Sequence, residues 1–293
     1  MKQSSVTIDA YCKINISLDI KGVRSDGFHK VEMILQTIPL CDHLTLKRRP
    51  GGAQSGEVIL SSNEAWVPTD DRNTAVKAAK LLAEDFREID SATEIYIDKR
   101  IPRCGGLGGS SADAAAVLIG MNRLYDLGLS YEVLCEYAAK VGSDVPFLLK
   151  SGAAIATGTG TELRYIEPFR GGILLLVNPN IDVRTPEAYK TYDTLDIPEE
   201  AHPDTEAIVR AMRASAKELG GVIKNVLEYP AFSFYPELAK LKKELERTKA
   251  DAVMMSGSGA TFYAIYGKED IKRAESVSKY YADKGYFTYL CEI

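Results

Sequence analysis

Apolar and polar residues alternate along the first part of the chain in the manner of β-strands. The pattern runs from Val6 to Ile20 and again from Lys30 to Pro39, with the turn-forming run Arg24–Gly27 between them. An alternation with a period of two places every second side chain on the same face of a sheet. The pattern therefore predicts two antiparallel strands joined by a short turn.

A glycine-rich stretch separates the next two apolar segments. Pro50–Gly56 lies between Leu44–Leu46 and Val58–Leu60. Because clusters of glycine, proline and serine between apolar runs are typical of loops, this order predicts a second hairpin with a long loop.

Helical periodicity first appears near residue 73. Apolar residues recur at helical spacing within Asn73–Asp85 and Ser110–Tyr125. Ser130 is a candidate N-cap for a third helix that ends near residue 140, and Asp144 could cap a further short helix.

Four other segments have the pattern of strands: Glu94–Asp98, Ala153–Thr157, Glu162–Tyr165 and Ile173–Val177. The second and third flank Gly158–Gly160 and predict a hairpin. A boundary near Gly171 predicts two α+β domains, over residues 1–170 and 171–293.

The composition is that of a packed globular protein. The chain has 293 residues, of which 45% are hydrophobic and 26% charged, and its net charge is −5. The negative net charge argues against nucleic-acid binding, which requires a basic surface. Because no run of about 18 apolar residues and no leader-like segment is evident, we expect a cytoplasmic protein without membrane contact.

The cysteines and histidines do not form a familiar metal or disulfide pattern. The five cysteines are widely separated, and none of the three histidines has zinc-like spacing from another candidate ligand. We therefore expect reduced thiols, no protein-bound zinc, and Mg²⁺ only as an ion carried by bound phosphates.

The run Pro102–Asp113 is the strongest candidate for binding chemistry, because it follows a predicted strand and opens the clearest helix. Glycine amides can approach phosphate oxygens closely, and a helix N-terminus carries about half a positive charge. Lys99, Arg100 and Arg103 add positive charge nearby. By itself, the loop fits a tight strand-to-helix connection equally well, and it lacks the Gly-Lys-Ser/Thr ending of Walker-type loops.

Two other segments place polar groups among apolar residues. Lys13 and Asn15 are two residues apart and so share one face of an otherwise apolar strand, although a solvated lysine is the ordinary alternative. Asp144 stands among apolar residues in Val141–Phe147, where a helix cap is the alternative interpretation.

Together, these segments resemble the GHMP kinase superfamily, whose central motif Pro-x-x-x-Gly-Leu-Gly, followed by serines and alanine, corresponds to Pro102–Ala112. Within the superfamily the resemblance is to the 4-diphosphocytidyl-2-C-methyl-D-erythritol kinase family. Motifs similar to that family's own occur in family order: Lys13–Asn15, Asp26–His29, Gly142–Phe147, Asn178–Pro179, Arg184–Pro186, Asn225–Glu228 and Met255–Ala260.

The resemblance implies a fold, a reaction and partners. The fold is α+β, with an N-terminal domain like ribosomal protein S5 over residues 1–170 and a ferredoxin-like domain over residues 171–293. The reaction is ATP-dependent phosphorylation of the 2-hydroxyl of 4-diphosphocytidyl-2-C-methyl-D-erythritol in the non-mevalonate isoprenoid pathway, with Mg²⁺ as cofactor. The expected partners are ATP and this cytidine diphosphate conjugate, and the expected state is a monomer or weak homodimer.

The resemblance also implies roles for individual residues. Lys13 and Asp144 match the catalytic positions, where the aspartate acts as base toward the substrate hydroxyl and the lysine lies beside it. Because phosphoryl transfer is largely dissociative, the aspartate need only orient the hydroxyl and accept its proton late. Ser111 could contact Mg²⁺. The implied ATP-binding residues are Asn73, Lys99, Pro102, Arg103, Cys104, Gly105, Gly106, Leu107, Gly108, Gly109, Ser110, Ser111 and Ala112.

The implied substrate-binding residues are Asn15, Phe28, His29, Thr185 and Tyr189. Phe28 and His29 match positions that hold the cytosine by stacking and by hydrogen bonding, and Tyr189 matches an aromatic residue on the other face of the base. The family usually has tyrosine in place of Phe28, so stacking should persist while a phenol hydrogen bond is lost. A turn aromatic and a surface tyrosine are the alternatives for Phe28 and Tyr189.

Two other functions stay open from the sequence. One is a GHMP kinase of homoserine or mevalonate type, and the other is a ligand-sensing GHMP protein without catalysis. Asp26–His29 argues against the first, because neither substrate has a base to stack, and the retention of Lys13 and Asp144 argues against the second. Ser110, where the family more often has glycine, affects which hydroxyl could meet Mg²⁺.

Overall fold

The computed structural model describes residues 3–25, 27–49 and 55–293. The strands are β1 Ser5–Val23, β2 His29–Arg49, β3 Val58–Ser62, β4 Ala92–Asp98, β5 Ala153–Thr157, β6 Glu162–Ile166, β7 Ile173–Asn178, β8 Ala252–Met255, β9 Phe262–Tyr266 and β10 Phe287–Glu292. The α-helices are α1 Thr74–Asp85, α2 Gly109–Tyr125, α3 Tyr131–Val141, α4 Val145–Leu148, α5 Thr185–Tyr192, α6 Thr205–Ala214, α7 Ala216–Gly220, α8 Glu228–Phe234, α9 Pro236–Glu246 and α10 Ile271–Asp283. None of the helices in the described ranges has both the length and the apolar composition needed to cross a membrane.

The chain forms two compact units that do not follow a single division of the sequence. The first unit contains residues up to Cys12, residues 39–101 and residues 108–151. The second contains residues 13–38, 102–107 and 152–293. The long strands β1 and β2, which pair with each other, contribute residues to both units. The predicted domain boundary after residue 170 stays a prediction.

In the first unit, β4 lies between β2 and β3 and pairs with both. Residues 43–49 of β2 pair with β4 in antiparallel fashion, and β3 pairs with β4 in parallel. The predicted hairpin between Leu44–Leu46 and Val58–Leu60 is therefore wrong, because β4 lies between these two strands. Parallel neighbours need a crossover connection, which α1 provides between β3 and β4. Residues 50–54 of the predicted loop lie outside the described residues.

The predicted helices of the first unit are confirmed. Asn73 is the N-cap of α1, since its side chain accepts a hydrogen bond from the Ala75 amide, and Ser130 caps α3 in the same manner. Helix α2 lies close against β2 at Gly120, where an added Cβ would stand 2.9 Å from a methyl group of Leu46. This close packing holds α2 against the sheet of the same unit.

The second unit contains the predicted β5–β6 hairpin and a separate four-stranded sheet. The sheet has the order β10-β7-β9-β8, and all of its pairs are antiparallel. With helices between β7 and β8 and α10 between β9 and β10, this is the βαββαβ arrangement of ferredoxin-like domains. Its apolar core joins residues of the sheet, of α9 and of α10: Leu175, Val177, Phe262, Leu238, Leu241, Leu245, Ala274 and Tyr281.

Candidate active site

Gly106 lies against the turn that connects β8 to β9. Its φ is +66°, and an added Cβ would stand only 1.9 Å from the carbonyl oxygen of Ser256. The Ser256 hydroxyl donates a hydrogen bond of 2.9 Å to the Gly106 carbonyl. The amides of Ala260 and Thr261 donate to the carbonyls of Cys104 and Gly105. Glycine is required at position 106, since any side chain would separate the two segments.

Lys13 is buried, with 4% of its surface exposed, and its ammonium group points at the Gly106 carbonyl. Nζ lies 3.0 Å from that oxygen and 2.6 Å from Oδ1 of Asn15. The backbone amide of Lys13 also donates to the Leu107 carbonyl. A buried ammonium requires such acceptors, and the alternative of a solvated lysine is therefore wrong.

Asn15 connects Lys13 to the same turn. Its backbone amide donates to the Ser256 hydroxyl at 3.1 Å, and its side-chain nitrogen lies 3.3 Å from the sulfur of Met33. The side chain is 1% exposed, so its amide oxygen is held toward Lys13 by packing. Lys13, Asn15, Gly106 and Ser256 thus form one continuous network within the second unit.

Two buried residues hold the turn between β8 and β9: Asn225, which precedes α8, and Glu228, the first residue of α8. The side-chain nitrogen of Asn225 donates to the carbonyls of Met255 and Gly257, at 2.9 and 2.7 Å. Glu228 accepts from the Met255 amide at 3.1 Å and from Lys242 at 2.6 Å. Burial raises the pKa of Glu228, and Lys242 opposes that rise. The sequence identifies the motif Asn225–Glu228 but not its contacts with the turn, which only the fold shows.

Aromatic rings meet at the other predicted substrate residues. The ring centres of His29 and Tyr189 are 4.9 Å apart, and Nε2 of His29 lies 2.7 Å from Oδ1 of Asp193. Phe28 is 65% exposed. The hydroxyl of Thr185 lies 2.8 Å from the Ser258 hydroxyl, in the turn that also contains Ser256. The sequence does not point to Asp193, since no local pattern distinguishes it from an ordinary surface aspartate.

Lys99, in the first unit, forms ion pairs with two buried carboxylates. Its Nζ lies 2.6 Å from carboxylate oxygens of both Asp42 and Asp113, and all three residues are buried. The second oxygen of Asp42 accepts from the amides of Arg100 and Ile101. Burial raises the pKa of Asp113 to about 7, with Asp42 adding to the rise and Lys99 opposing it. The ammonium of Lys99 is thus balanced by carboxylates, and its predicted role in ATP binding stays a prediction.

The start of α2 has the character expected of a phosphate site. Gly108 is the N-cap with φ of 69°, and as a glycine it has no side chain with which to cap the first amides. Ser110 is exposed and Ser111 half-buried, and neither hydroxyl has a hydrogen-bond partner among the described residues. The Ser110 carbonyl accepts from the Thr74 hydroxyl at 2.6 Å. Amides and hydroxyl oxygens of this kind suit phosphates and the hard cation Mg²⁺.

Asp144 occupies the N-cap position of the short helix α4, but within the described chain its side chain makes no capping hydrogen bond. The alternative prediction of a helix cap is therefore right about the position of Asp144 but wrong about a capping hydrogen bond from its side chain. The side chain is half-buried, and the residues that follow it, Val145, Pro146 and Phe147, are buried. Asn73 uses its own side chain to cap α1 and to donate to the Pro68 carbonyl.

The predicted residues are divided between the two units. The first unit contains Asn73, Lys99, Gly108–Ala112 and Asp144, and the second contains Lys13, Asn15, Phe28, His29, Pro102–Leu107, Thr185 and Tyr189. Within the second unit, direct contacts join Lys13, Asn15 and Gly106, and a ring contact joins His29 to Tyr189. Arg103 and Cys104 are exposed, and the Arg103 guanidinium lies 3.3 Å from Asp182.

Comparison with known proteins agrees with these features. Residues 73–152 match the family model of the GHMP kinases N terminal domain, and residues 199–283 match that of the GHMP kinases C terminal. A 4-diphosphocytidyl-2-C-methyl-D-erythritol kinase from Bacillus pumilus is 42% identical over 87% of this chain and 86% of that protein. The protein of the same name from Bacillus thuringiensis is 41% identical over 90% of this chain and 88% of its own length.

Solved structures show the same relationship. A crystal structure of 4-(cytidine 5'-diphospho)-2C-methyl-D-erythritol kinase superposes with a TM-score of 0.78 at 28% identity, covering 97% of this chain and 98% of that one. A homoserine kinase from Cytophaga hutchinsonii has the same fold, with a TM-score of 0.74 at 17% identity over 100% and 96% of the two chains. The predicted α+β GHMP fold is thereby confirmed. On the identity and coverage of its Bacillus relatives, the chain belongs to the 4-diphosphocytidyl-2-C-methyl-D-erythritol kinase family of GHMP kinases.

Proposed function

We propose that this kinase transfers the γ-phosphoryl group of ATP to the 2-hydroxyl of 4-diphosphocytidyl-2-C-methyl-D-erythritol. The names of its relatives support this acceptor. The observation that carries the choice is the ring pair of His29 and Tyr189, 4.9 Å apart, with the exposed ring of Phe28 next to His29 in the chain. Exposed aromatic rings stack on nucleobases, and neither homoserine nor mevalonate has such a ring.

Lys13 is proposed to stabilise the transferring phosphoryl group. Two neutral oxygens, from Asn15 and Gly106, accept hydrogen bonds from its ammonium group and hold it in place. Burial keeps the ammonium group away from bulk water. A positive charge that is held in place acts on developing negative charge without reorganisation during the reaction. Lys99 is less suited to this task, because two carboxylates already balance its charge.

Asp144 is proposed to orient the substrate hydroxyl and to accept its proton. The carboxylate is not used to cap α4, among the residues that the structure describes, and the buried residues after it fix its backbone. Late proton transfer demands little basicity, because the transition state is largely dissociative. If Asp144→Asn kept phosphoryl transfer within a few-fold of wild type, this role would be wrong.

The ATP phosphates are proposed to bind at the amides that begin α2. Gly108 and Gly109 have no side chains that would cover those amides, and the hydroxyls of Ser110 and Ser111 would hold Mg²⁺ together with the phosphates. When bound, Mg²⁺ neutralises charge on the β- and γ-phosphate oxygens. The hydroxyl of Ser256 holds Gly106, which lies in the middle of the loop Pro102–Ala112.

The direct test is ADP release measured with the cytidyl substrate, with homoserine and with mevalonate. We expect turnover with the cytidyl substrate alone, and turnover only with the other two would contradict the proposal. Phe28→Ala should raise KM for the cytidyl substrate about 5- to 150-fold, from a stacking loss of roughly 1–3 kcal/mol, and leave KM for ATP unchanged. Phe234→Ala is the matched control, since that ring is 50% exposed and lies in α8.

The cytoplasmic location and the monomer or weak homodimer stay predictions. Gel filtration over a range of protein concentrations measures the second of them directly.

A further inference from the structure

Three potential metal ligands lie together on a part of the first unit that the kinase site does not use. Asp9 belongs to β1, and Cys41 and His43 belong to β2. One ligand atom of each residue lies within 4.8 Å of those of the other two. Nδ1 of His43 lies 2.6 Å from Oδ1 of Asp9, and Cys41 is a free cysteine. Carboxylate oxygen, imidazole nitrogen and thiol sulfur are thus within reach of one ion.

The strand periodicity explains why these side chains meet. In β1, Ile8 and Ala10 on either side of Asp9 are buried, so Asp9 points to the opposite face of the sheet. In β2, the buried Asp42 and Leu44 alternate with Cys41 and His43 in the same way. Because β1 and β2 pair with each other, the three side chains lie on the same face of the sheet.

The chemistry of this set selects a particular class of ion. Zinc binds Cys, His and Asp with bonds of about 2.0–2.3 Å, which places its ligand atoms roughly 3.5 Å apart. The ligand atoms here are at most 4.8 Å apart, and those of His43 and Asp9 are 2.6 Å apart, so binding an ion requires side-chain shifts of about 1 Å. A thiolate ligand favours Zn²⁺ and related transition ions over Mg²⁺, which prefers oxygen ligands.

The surroundings of His43 also suit a metal ligand. Asp98 on β4 is the residue directly opposite His43 in the antiparallel register. A carboxylate that reaches the second nitrogen of a ligating imidazole orients the ring, and Asp98 is the carboxylate on the strand beside His43. The guanidinium of Arg100 lies 2.8 Å from Asp98 and holds its carboxylate in turn.

We propose that Asp9, Cys41 and His43 bind one divalent transition-metal ion of the Zn²⁺ class, with water in the fourth coordination position. This site is separate from the Mg²⁺ that accompanies ATP. The sequence by itself predicts no zinc, because Asp9 lies 34 residues from His43 along the chain and only strand pairing brings them together.

Cobalt spectroscopy of the full chain tests the proposal. Co²⁺ is titrated into metal-free protein, and the thiolate-to-cobalt charge-transfer band is followed together with the visible bands of tetrahedral Co²⁺. We expect both sets of bands to saturate at one ion per chain. We also expect Zn²⁺ to abolish them and an excess of Mg²⁺ to leave them unchanged.

Variants identify the ligands. Cys41→Ser should abolish the charge-transfer band, whereas Cys135→Ser, which removes a half-buried thiol on α3, should keep it. His43→Asn and Asp9→Asn retain the thiol and should weaken Co²⁺ binding at least tenfold. If Cys41→Ser does not fold, the Co²⁺ affinity of these two variants still tests the proposal. The proposal is overturned if no charge-transfer band forms, if it persists in Cys41→Ser, if Cys135→Ser removes it, or if both retained-thiol variants bind Co²⁺ as wild type does.

Discussion

A pair of glycine substitutions separates backbone strain from the specific contact at the glycine-rich loop. Gly106 and Gly128 have nearly the same positive φ, +66° and +65°. Replacement by alanine therefore imposes a similar conformational cost at both positions, about 1–2 kcal/mol. The positions differ in their surroundings, because an added Cβ meets nothing within 4 Å at Gly128 but lies 1.9 Å from the Ser256 carbonyl oxygen at Gly106.

The size of the additional effect at Gly106 follows from the contacts that must break. Real Cβ atoms essentially never approach another heavy atom closer than 3.0 Å, so the loop and the turn must separate by about 1 Å. The hydrogen bonds that Ser256 and Lys13 donate to Gly106, at 2.9 and 3.0 Å, would then become too long. One neutral and one charged bond contribute about 2–4.5 kcal/mol together. If this loss falls on the transition state, kcat/KM drops about 30- to 2,000-fold.

The assay is steady-state ADP release, combined with urea unfolding of both variants. Gly128→Ala should lose about 1–2 kcal/mol of stability and keep its kcat/KM for ATP. Gly106→Ala should lose kcat/KM by the factor above at a temperature where it is folded. The reasoning is refuted if the two variants have the same kcat/KM, since the contact with Ser256 would then not matter for catalysis.

Three further predictions concern buried polar groups. Asn225→Asp replaces the group that donates to two carbonyls of the turn 255–259 by an acceptor. We expect kcat/KM for ATP to fall about 10- to 100-fold. An unchanged value would show that the turn is held without this side chain. Lys99→Met leaves the carboxylates of Asp42 and Asp113 without their cation and should lower the free energy of unfolding by about 3–5 kcal/mol in urea. The pKa of Asp113 is raised to about 7 in the folded state, so its contribution to stability is complete below pH 4 and is lost as pH rises toward 7, by up to about 1.4 kcal/mol per pH unit. Asp113→Asn should remove this slope, and a variant with the wild-type pH dependence would assign it to another group.

The sequence was sufficient for the elements whose pattern is local. The periodicity of α1 and α2, the cap at Ser130 and the β5–β6 hairpin are each specified by residues close in the chain. The pairing of β3 was predicted wrongly, because a strand's pattern indicates which face is buried but not which strand lies beside it. In this protein a strand some thirty residues later, β4, is that neighbour.

In the candidate site, too, the sequence indicates some residues but not the distant residues that support them. The loop Pro102–Ala112 and Lys13 are visible in the sequence because their residue types are unusual for their context. Their supports are not visible, because the Ser256 hydroxyl lies 150 residues from Gly106 and Asp42 lies 57 residues from Lys99. Burial and pairing, which decide whether a lysine carries free charge, depend on such distant contacts.

The position of phosphorylation is the most direct test of the proposed reaction. Carbon 2 of the acceptor carries the methyl group and no hydrogen, so a phosphate on its hydroxyl has no proton three bonds away. The proton-coupled ³¹P NMR spectrum of the product should therefore show one new phosphomonoester signal as a singlet. A monoester signal split by neighbouring protons would place the phosphoryl group on another hydroxyl and contradict the account, as would the absence of any new monoester.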